Sequence, residues 1–308
     1  MALLTTSNFT GKAAGFYISA ALKQSNSLDY LTMIENIKFK SNLQNLNQTV
    51  NAVADATCDF TSAGTLALTE KVLEPKRLQV NYELCKADLL DSWEALQMRA
   101  GAGAPPPASF EDYIISYVGD IIADATESSV WDGTAVAGKF NGFNGAATGL
   151  LLPGVDATVV QDAASAAYSA TNIIANLQSA VAAIPVAVLG KEDLHIYMNQ
   201  RTYQYYISAV STLGYVNAYN MNGDYVPMFE GYKIAVCNGM TTNEIVIAQK
   251  SSLFFGTDLL SDGTGIGGGP RITLLDMAAL DGSDNMRMVA RYSAGTQTGI
   301  GSDCVLVS

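Results

Sequence analysis

The sequence has a single histidine, His195, among 308 residues. Nucleophile triads and most catalytic metal centres are built on histidines held by partners at defined places. His195 stands alone in an alternating apolar run and is read as structural. The H-E-x-x-H and Walker A patterns are missing. Tyr292-Ser-Ala-Gly295 lacks the first glycine of a G-x-S-x-G elbow. Cysteine is sparse: Cys58, Cys85, Cys237 and Cys304 lie far apart with no C-x-x-C pair. That spacing excludes a disulfide scaffold and a zinc ribbon, and the four are read as reduced thiols.

Charge is short as well, at 15% of residues against roughly 25% in average domains. The surface must rest on Ser, Thr, Asn, Gln and Gly, or be covered by partners. Basic residues are the scarcer sign, 17 against 29 acidic, for a net charge of −12. Duplex DNA carries a negative charge about every 1.7 Å, so this balance excludes a nucleic-acid-gripping role. Long apolar runs are missing too. Ala180–Leu189 is broken by Pro185, and a spanning helix needs about 20 residues. Met1–Thr6 has no basic region leading into an apolar core, so neither a signal peptide nor membrane insertion is expected.

What is present is unevenly spread. Residues 1–100 carry 9 basic and 10 acidic groups, and residues 101–308 carry 8 and 19. The stretch from Asn36 to Thr69 is rich in Asn, Gln, Ser and Thr. It buries too little apolar surface to offset its own ordering and must lie on something else. Leu66 and Leu68, then Leu78, Val80, Tyr82 and Leu84, alternate with polar residues as half-buried strands do. Residues 57–84 are therefore expected as one antiparallel ribbon returning on itself. A short helix is expected over Asp88–Arg99, ended by the Gly/Pro run 101–107.

The clearest element follows. Phe110, Tyr113, Ile114, Tyr117, Val118, Ile121, Ile122 and Ala125 recur at helical spacing and mark the core face of a helix from Ser109 to Trp131. Ser109, with Asp112 three residues on, is the expected N-cap. Its acidic face, Glu111, Asp112, Asp120, Asp124 and Glu127, is expected in solvent. A Gly/Asn-rich loop over 132–158 comes next. A helix over 169–184 with Ile174, Leu177, Val181 and Ile184 inward, a strand Leu194–Met198 and a helix Arg201–Leu213 read as an α/β module. Strands are expected at 232–237, 244–248, 253–255, 272–277, 286–292 and 304–307, with Asp281–Asn285 as a turn.

No residue is assigned a catalytic, cofactor-binding or metal-binding role. Gly263–Gly268 satisfies G-x-G-x-x-G, but Pro270 and a strand-like run follow where a helix is needed. Asn220–Asp224 lacks the length and terminal Glu of a calcium loop. No carboxylate pair stands out.

The order of elements, and several phrases, resemble the major capsid proteins of tailed double-stranded-DNA bacteriophages. The phrases are Leu73-Glu-Pro-Lys-Arg-Leu-Gln-Val-Asn-Tyr-Glu-Leu-Cys85 leading to Trp93, Phe110-Glu-Asp-Tyr-Ile-Ile115, Val130-Trp-Asp-Gly133, Phe255-Gly-Thr-Asp-Leu259 and Asp281-Gly-Ser-Asp-Asn285 running on to Tyr292. The resemblance implies an α+β fold in four parts. These are an N-arm (1–36), an extended β-ribbon loop (37–85), a peripheral domain (86–155 and 250–308, spine helix 109–131) and an axial α/β domain (156–249). It implies a structural protein rather than an enzyme. Copies would form hexameric and pentameric capsomers of an icosahedral shell that encloses DNA without reading its sequence. Scaffolding, portal and head auxiliary proteins would be partners, and assembly would occur in the bacterial cytoplasm. On this reading Lys71, Lys76, Arg77, Leu66 and Leu68 are subunit-contact candidates. Some relatives join a loop lysine to an asparagine of the next subunit with help from a glutamate. Glu244 is the last glutamate here, so that chemistry is not expected. The alternatives are an encapsulin-like nanocompartment shell, another virion structural protein, or an acidic polysaccharide hydrolase.

Overall fold

A computed structural model describes residues 26–48, 58, 66–85, 108–162, 167–213, 227–258, 272–278, 280 and 282–308. For 47–48, 108–116 and 272–274 the description is of the backbone alone. The elements in chain order are β1 (Thr32–Ile34), β2 (Ser41–Gln48), β3 (Leu66–Leu73), β4 (Lys76–Cys85), α1 (Ala108–Asp132), β5 (Val160–Asp162), α2 (Ile173–Ala182), β6 (Leu194–Met198), α3 (Gln200–Thr212), β7 (Met228–Phe229), β8 (Tyr232–Val236), β9 (Ile245–Gln249), β10 (Leu253–Thr257), β11 (Ile272–Asp276), β12 (Asn285–Thr298) and β13 (Val305–Val307). The class is α+β, as expected.

The chain divides into two units. The larger comprises Ser25–Lys76, Glu127–Asp258 and Ala294–Ser308. Its main sheet has the order β5-β13-β9-β6-β8-β7. The central strand β9, Ile-Val-Ile-Ala-Gln, is buried at every position, which is why it reads as an unbroken apolar run. Ile173, Leu177 and Ala180 of α2 and Tyr203 and Ala209 of α3 pack against Ile196, Ile234 and Ile247 of the sheet. Each fully buried aliphatic side chain contributes about 1.5–3 kcal/mol. In the same unit β1 runs parallel to β10, and β10 pairs antiparallel with Ala294–Thr298 of β12.

In the smaller unit β11 pairs antiparallel with 286–290 of β12. Met286, Met288 and Ala290 are buried there, while Arg287 and Arg291 are exposed and Val289 is half-buried. This is the period-2 pattern of a strand with one face covered. β4 also pairs with β12, and Arg287 meets Glu83 of β4 at 3.4 Å.

The end of α1 is closed by its own following loop. The last carbonyls of a helix have no partner inside it. Here the returning chain supplies them: Phe143 N donates to Val130 O at 2.9 Å and Asn144 N to Trp131 O at 2.7 Å. Trp131 is fully buried between Phe143 and Tyr197, with ring centroids 5.4 Å away in each case.

Six sequence expectations need correction. Residues 57–84 do not form one hairpin: β3 pairs with β2, and β4 pairs with β12. β2 is Ser-Asn-Leu-Gln-Asn-Leu-Asn-Gln, whose amide residues disfavour strands, so its pattern hid it. Ser109 lies inside α1, which begins at Ala108, so it does not cap the helix. α2 is shorter than 169–184; Ile173, Leu177 and Ala180 are its fully buried apolar residues, while of the expected stripe Leu177 and, beyond the helix, Ile184 are buried and Ile174 and Val181 are half-buried against the same core. β12 is twice the expected length. Its second half, Ser293–Thr298, is small and polar and is paired by β10 rather than marked by hydropathy. Glu127 is not in solvent but fully buried. Ala125, expected on the core stripe, is exposed. The expected helix over 88–99, the 101–107 run, the 220–224 turn and the 263–268 glycines lie outside the described residues.

Candidate functional site

Among the described residues, His195, Asp193, Cys237 and Cys304 are each engaged structurally. His195 is half-buried, with Nδ1 2.8 Å from the backbone oxygen of Asp193. The Asp193 carboxylate accepts from Gln249 Nε2 at 3.0 Å and Ser251 Oγ at 2.5 Å. Burial raises the Asp193 pKa, but these donors outweigh it and leave the group below its usual value. Burial pushes the Cys304 thiol up to about 12 and Cys237 higher still. Thiolate is the reactive form, so both are inert at neutral pH. Among the described residues no group of His, Cys, Asp and Glu is placed to hold a metal ion. No described helix is long and apolar enough to cross a membrane.

The surface that stands out is the β2–β3 ribbon. In a paired strand, alternate residues share a face. Leu43 stands opposite Lys71 and Ser41 opposite Leu73, and this face turns toward the larger unit. Leu73 is fully buried, and it meets Ile37 over Gly256. Lys71 Nζ lies 2.7 Å from Asp156 Oδ2 and donates to Thr298 Oγ1 at 3.1 Å. Gln297 Nε2 donates to Val72 O at 2.7 Å. The opposite face is uncovered. Leu46 and Leu68, directly opposite each other, are 63% and 57% exposed, Leu66 is 71% exposed and Val72 42%. Gln44 and Glu70 lie beside them, joined by a 3.2 Å hydrogen bond. The ribbon is thus fixed at its root and presents a charge-poor apolar face outward. Covering each of those side chains contributes about 1–2 kcal/mol.

The contact candidates therefore separate. Leu66 and Leu68 stand on the open face and Arg77 is exposed on β4. Lys71 and Lys76 point their ammonium groups back into the larger unit. Of the helix candidates, Val118 is buried and Tyr117, Ile121 and Ile122 are half-buried. The side chains of Phe110, Tyr113 and Ile114 lie outside the description.

The arrangement has counterparts among solved structures. The capsid of the Myoviridae phage XM1 superposes with a TM-score of 0.61 at 10% identity, covering 99% of this chain and 98% of that one. The capsid of an empty GTA particle gives 0.60 at 14%, covering 99% and 94%. The cyanophage A-1(L) capsid gives 0.58 at 12%, covering 98% and 97%. The chain has the phage-capsid fold. No protein-family model and no curated protein matches the sequence.

One polar cluster escaped the sequence reading. Glu127 accepts from Ser27 Oγ at 2.5 Å, Ser27 N at 3.1 Å and Gly239 N at 3.0 Å. Trp131 Nε1 donates to the same Ser27 hydroxyl at 2.6 Å. A side chain at Gly239 would collide with the Glu127 backbone oxygen, its Cβ falling 2.0 Å away. The available signal was Val130 and Trp131, three and four residues after Glu127, which place apolar neighbours on its helix face.

Proposed function

We propose that this chain is a major capsid subunit of a tailed double-stranded-DNA bacteriophage, assembling through hexamers and pentamers into an icosahedral shell. The carrying observation is the ribbon: a root locked to its own unit and an outward face with four exposed aliphatic side chains. On this reading residues 1–36 are the N-arm, 37–85 the extended loop, 86–155 and 250–308 the peripheral domain, and 156–249 the axial domain. Leu66, Leu68 and Arg77 touch a neighbouring copy. The protein acts by association and not by turnover. Standard contacts bury about 1,600 Å², and most of the gross apolar gain is offset by ordering and desolvation. Single contacts stay reversible, while many contacts per subunit make a closed shell persist. A net charge of −12 repels phosphate and lets packaged DNA slide. Scaffolding, portal and auxiliary proteins are the expected partners, in the host cytoplasm and then the virion.

The test is a shortened ribbon. Replacing 45–69 by a two-residue Asn-Gly turn keeps the paired roots, Ser41–Gln44 with Glu70–Leu73, and retains Leu73 and Lys71. The full-length chain is expected to form closed particles by sedimentation and negative-stain microscopy. The shortened chain is expected to fold and stay a small species. Closed particles from the shortened chain would overturn the reading.

A further inference from the structure

We propose that the turn 135–139 is a monovalent-cation cradle whose resident cation is the chain's own Lys76 ammonium. Lys76 Nζ donates to Val136 O at 2.6 Å, Lys139 O at 2.8 Å and Ala135 O at 3.2 Å. An ammonium carries three donors, and three main-chain oxygens accept them. The turn is shaped to converge those oxygens. Ala135 and Gly138 hold positive φ, 57° and 79°, and left-handed residues reverse the peptide planes within a few positions. Clustered main-chain carbonyls replace the hydration shell of ions such as potassium. All the atoms involved belong to the larger unit. Val136 and Lys139 close the turn themselves, Lys139 N donating to Val136 O at 3.1 Å.

The consequence lies at the corner between β3 and β4. Only Glu74 and Pro75 separate the two strands, and Pro75 lies against Gly295. With Pro75 against Gly295 and Lys76 held by the 135–139 turn, the corner is fixed at two adjacent residues. Lys76 is then a positioning residue for the ribbon root, and its ammonium is not free to pair with a partner's carboxylate. The cradle is independent of the shell reading, since it is built within one chain.

The test is Lys76→Met in the full chain, which keeps the stem and removes the cation. The three bonds are solvent-exposed, so water replaces part of what the variant loses. In tetramethylammonium chloride, which has no N–H to donate, the unfolding equilibrium constant is expected to rise about threefold or more over the parent chain. Ammonium or potassium chloride at the same ionic strength is expected to recover stability, by about threefold where the ion reaches twice its dissociation constant. The parent chain should show no such difference. Equal stability of variant and parent, or of the variant in all three salts, would overturn the proposal. The parent chain supplies a second measurement that does not depend on the variant folding. Acylation by an amine-directed reagent, mapped by mass spectrometry, should be about tenfold slower at Lys76 in the folded chain than in denaturant. Lys38, which is exposed, should show little protection. Equal protection at both lysines would also overturn the proposal.

Discussion

Glu127 carries the sharpest residue-level consequence of the fold. Buried polar donors left without acceptors cost about 1–3 kcal/mol each. Glu127→Ala strands the backbone N–H groups of Ser27 and Gly239, so a loss of roughly 3 kcal/mol is expected in denaturant melts. Glu127→Gln keeps one acceptor oxygen and is expected to lose less. Equal melts for the alanine variant and the parent would remove Glu127 from the core. Asp156 supplies the pH dependence. Burial raises its pKa, but the Lys71 ammonium and the Thr158 donors more than offset this, leaving it below 3.8. A carboxyl whose folded value is depressed stabilises above its unfolded value, and that stabilisation is lost as pH falls through the folded one. Acid titration of stability below about pH 4 should therefore be shallower in Lys71→Met than in the parent. Identical acid limbs would show that the pair contributes nothing.

At the scale of elements, the ribbon joins strands of opposite legibility. β3 could be read because Leu66 and Leu68 alternate with small and polar residues. Its partner β2 could not, because Asn and Gln carry no strand signal and pairing alone ordered them. The same holds for Ser293–Thr298, which continues β12 because Leu253–Thr257 lies beside it. α1 was legible to within one residue at each end, since an apolar stripe over several turns has only one helical reading. Its burial was less legible. Ala125 was placed inward and Glu127 outward, and the observed order is the reverse. A second consequence belongs here. Leu66→Asp with Leu68→Asp puts two carboxylates on the open ribbon face without touching Leu73 or Lys71. Thermal stability of the subunit should change by less than about 0.5 kcal/mol, while particle yield in sedimentation should collapse. Normal particles would place the contact elsewhere.

For the whole molecule, charge sets the conditions of association. Every copy carries −12, so copies repel at long range, while the ribbon face that would join them is nearly uncharged. Added salt shortens the Debye length to about 10 Å at 0.1 M and screens the repulsion without weakening apolar contacts. Assembly followed by light scattering should therefore speed up as salt rises over this range. Slower assembly would mean that ionic pairs between copies dominate.

The sequence by itself determined the class of the fold, the long helix, the strand-rich end and the poverty of catalytic groups. Those follow from residue type and spacing along one stretch of chain. Only the tertiary structure decided that β2 orders against β3, that Glu127 is enclosed by Ser27 and Gly239, and that Lys71 and Lys76 turn inward. Each depends on groups brought together from 18 to 227 positions apart, and no local pattern records which distant donor meets which acceptor.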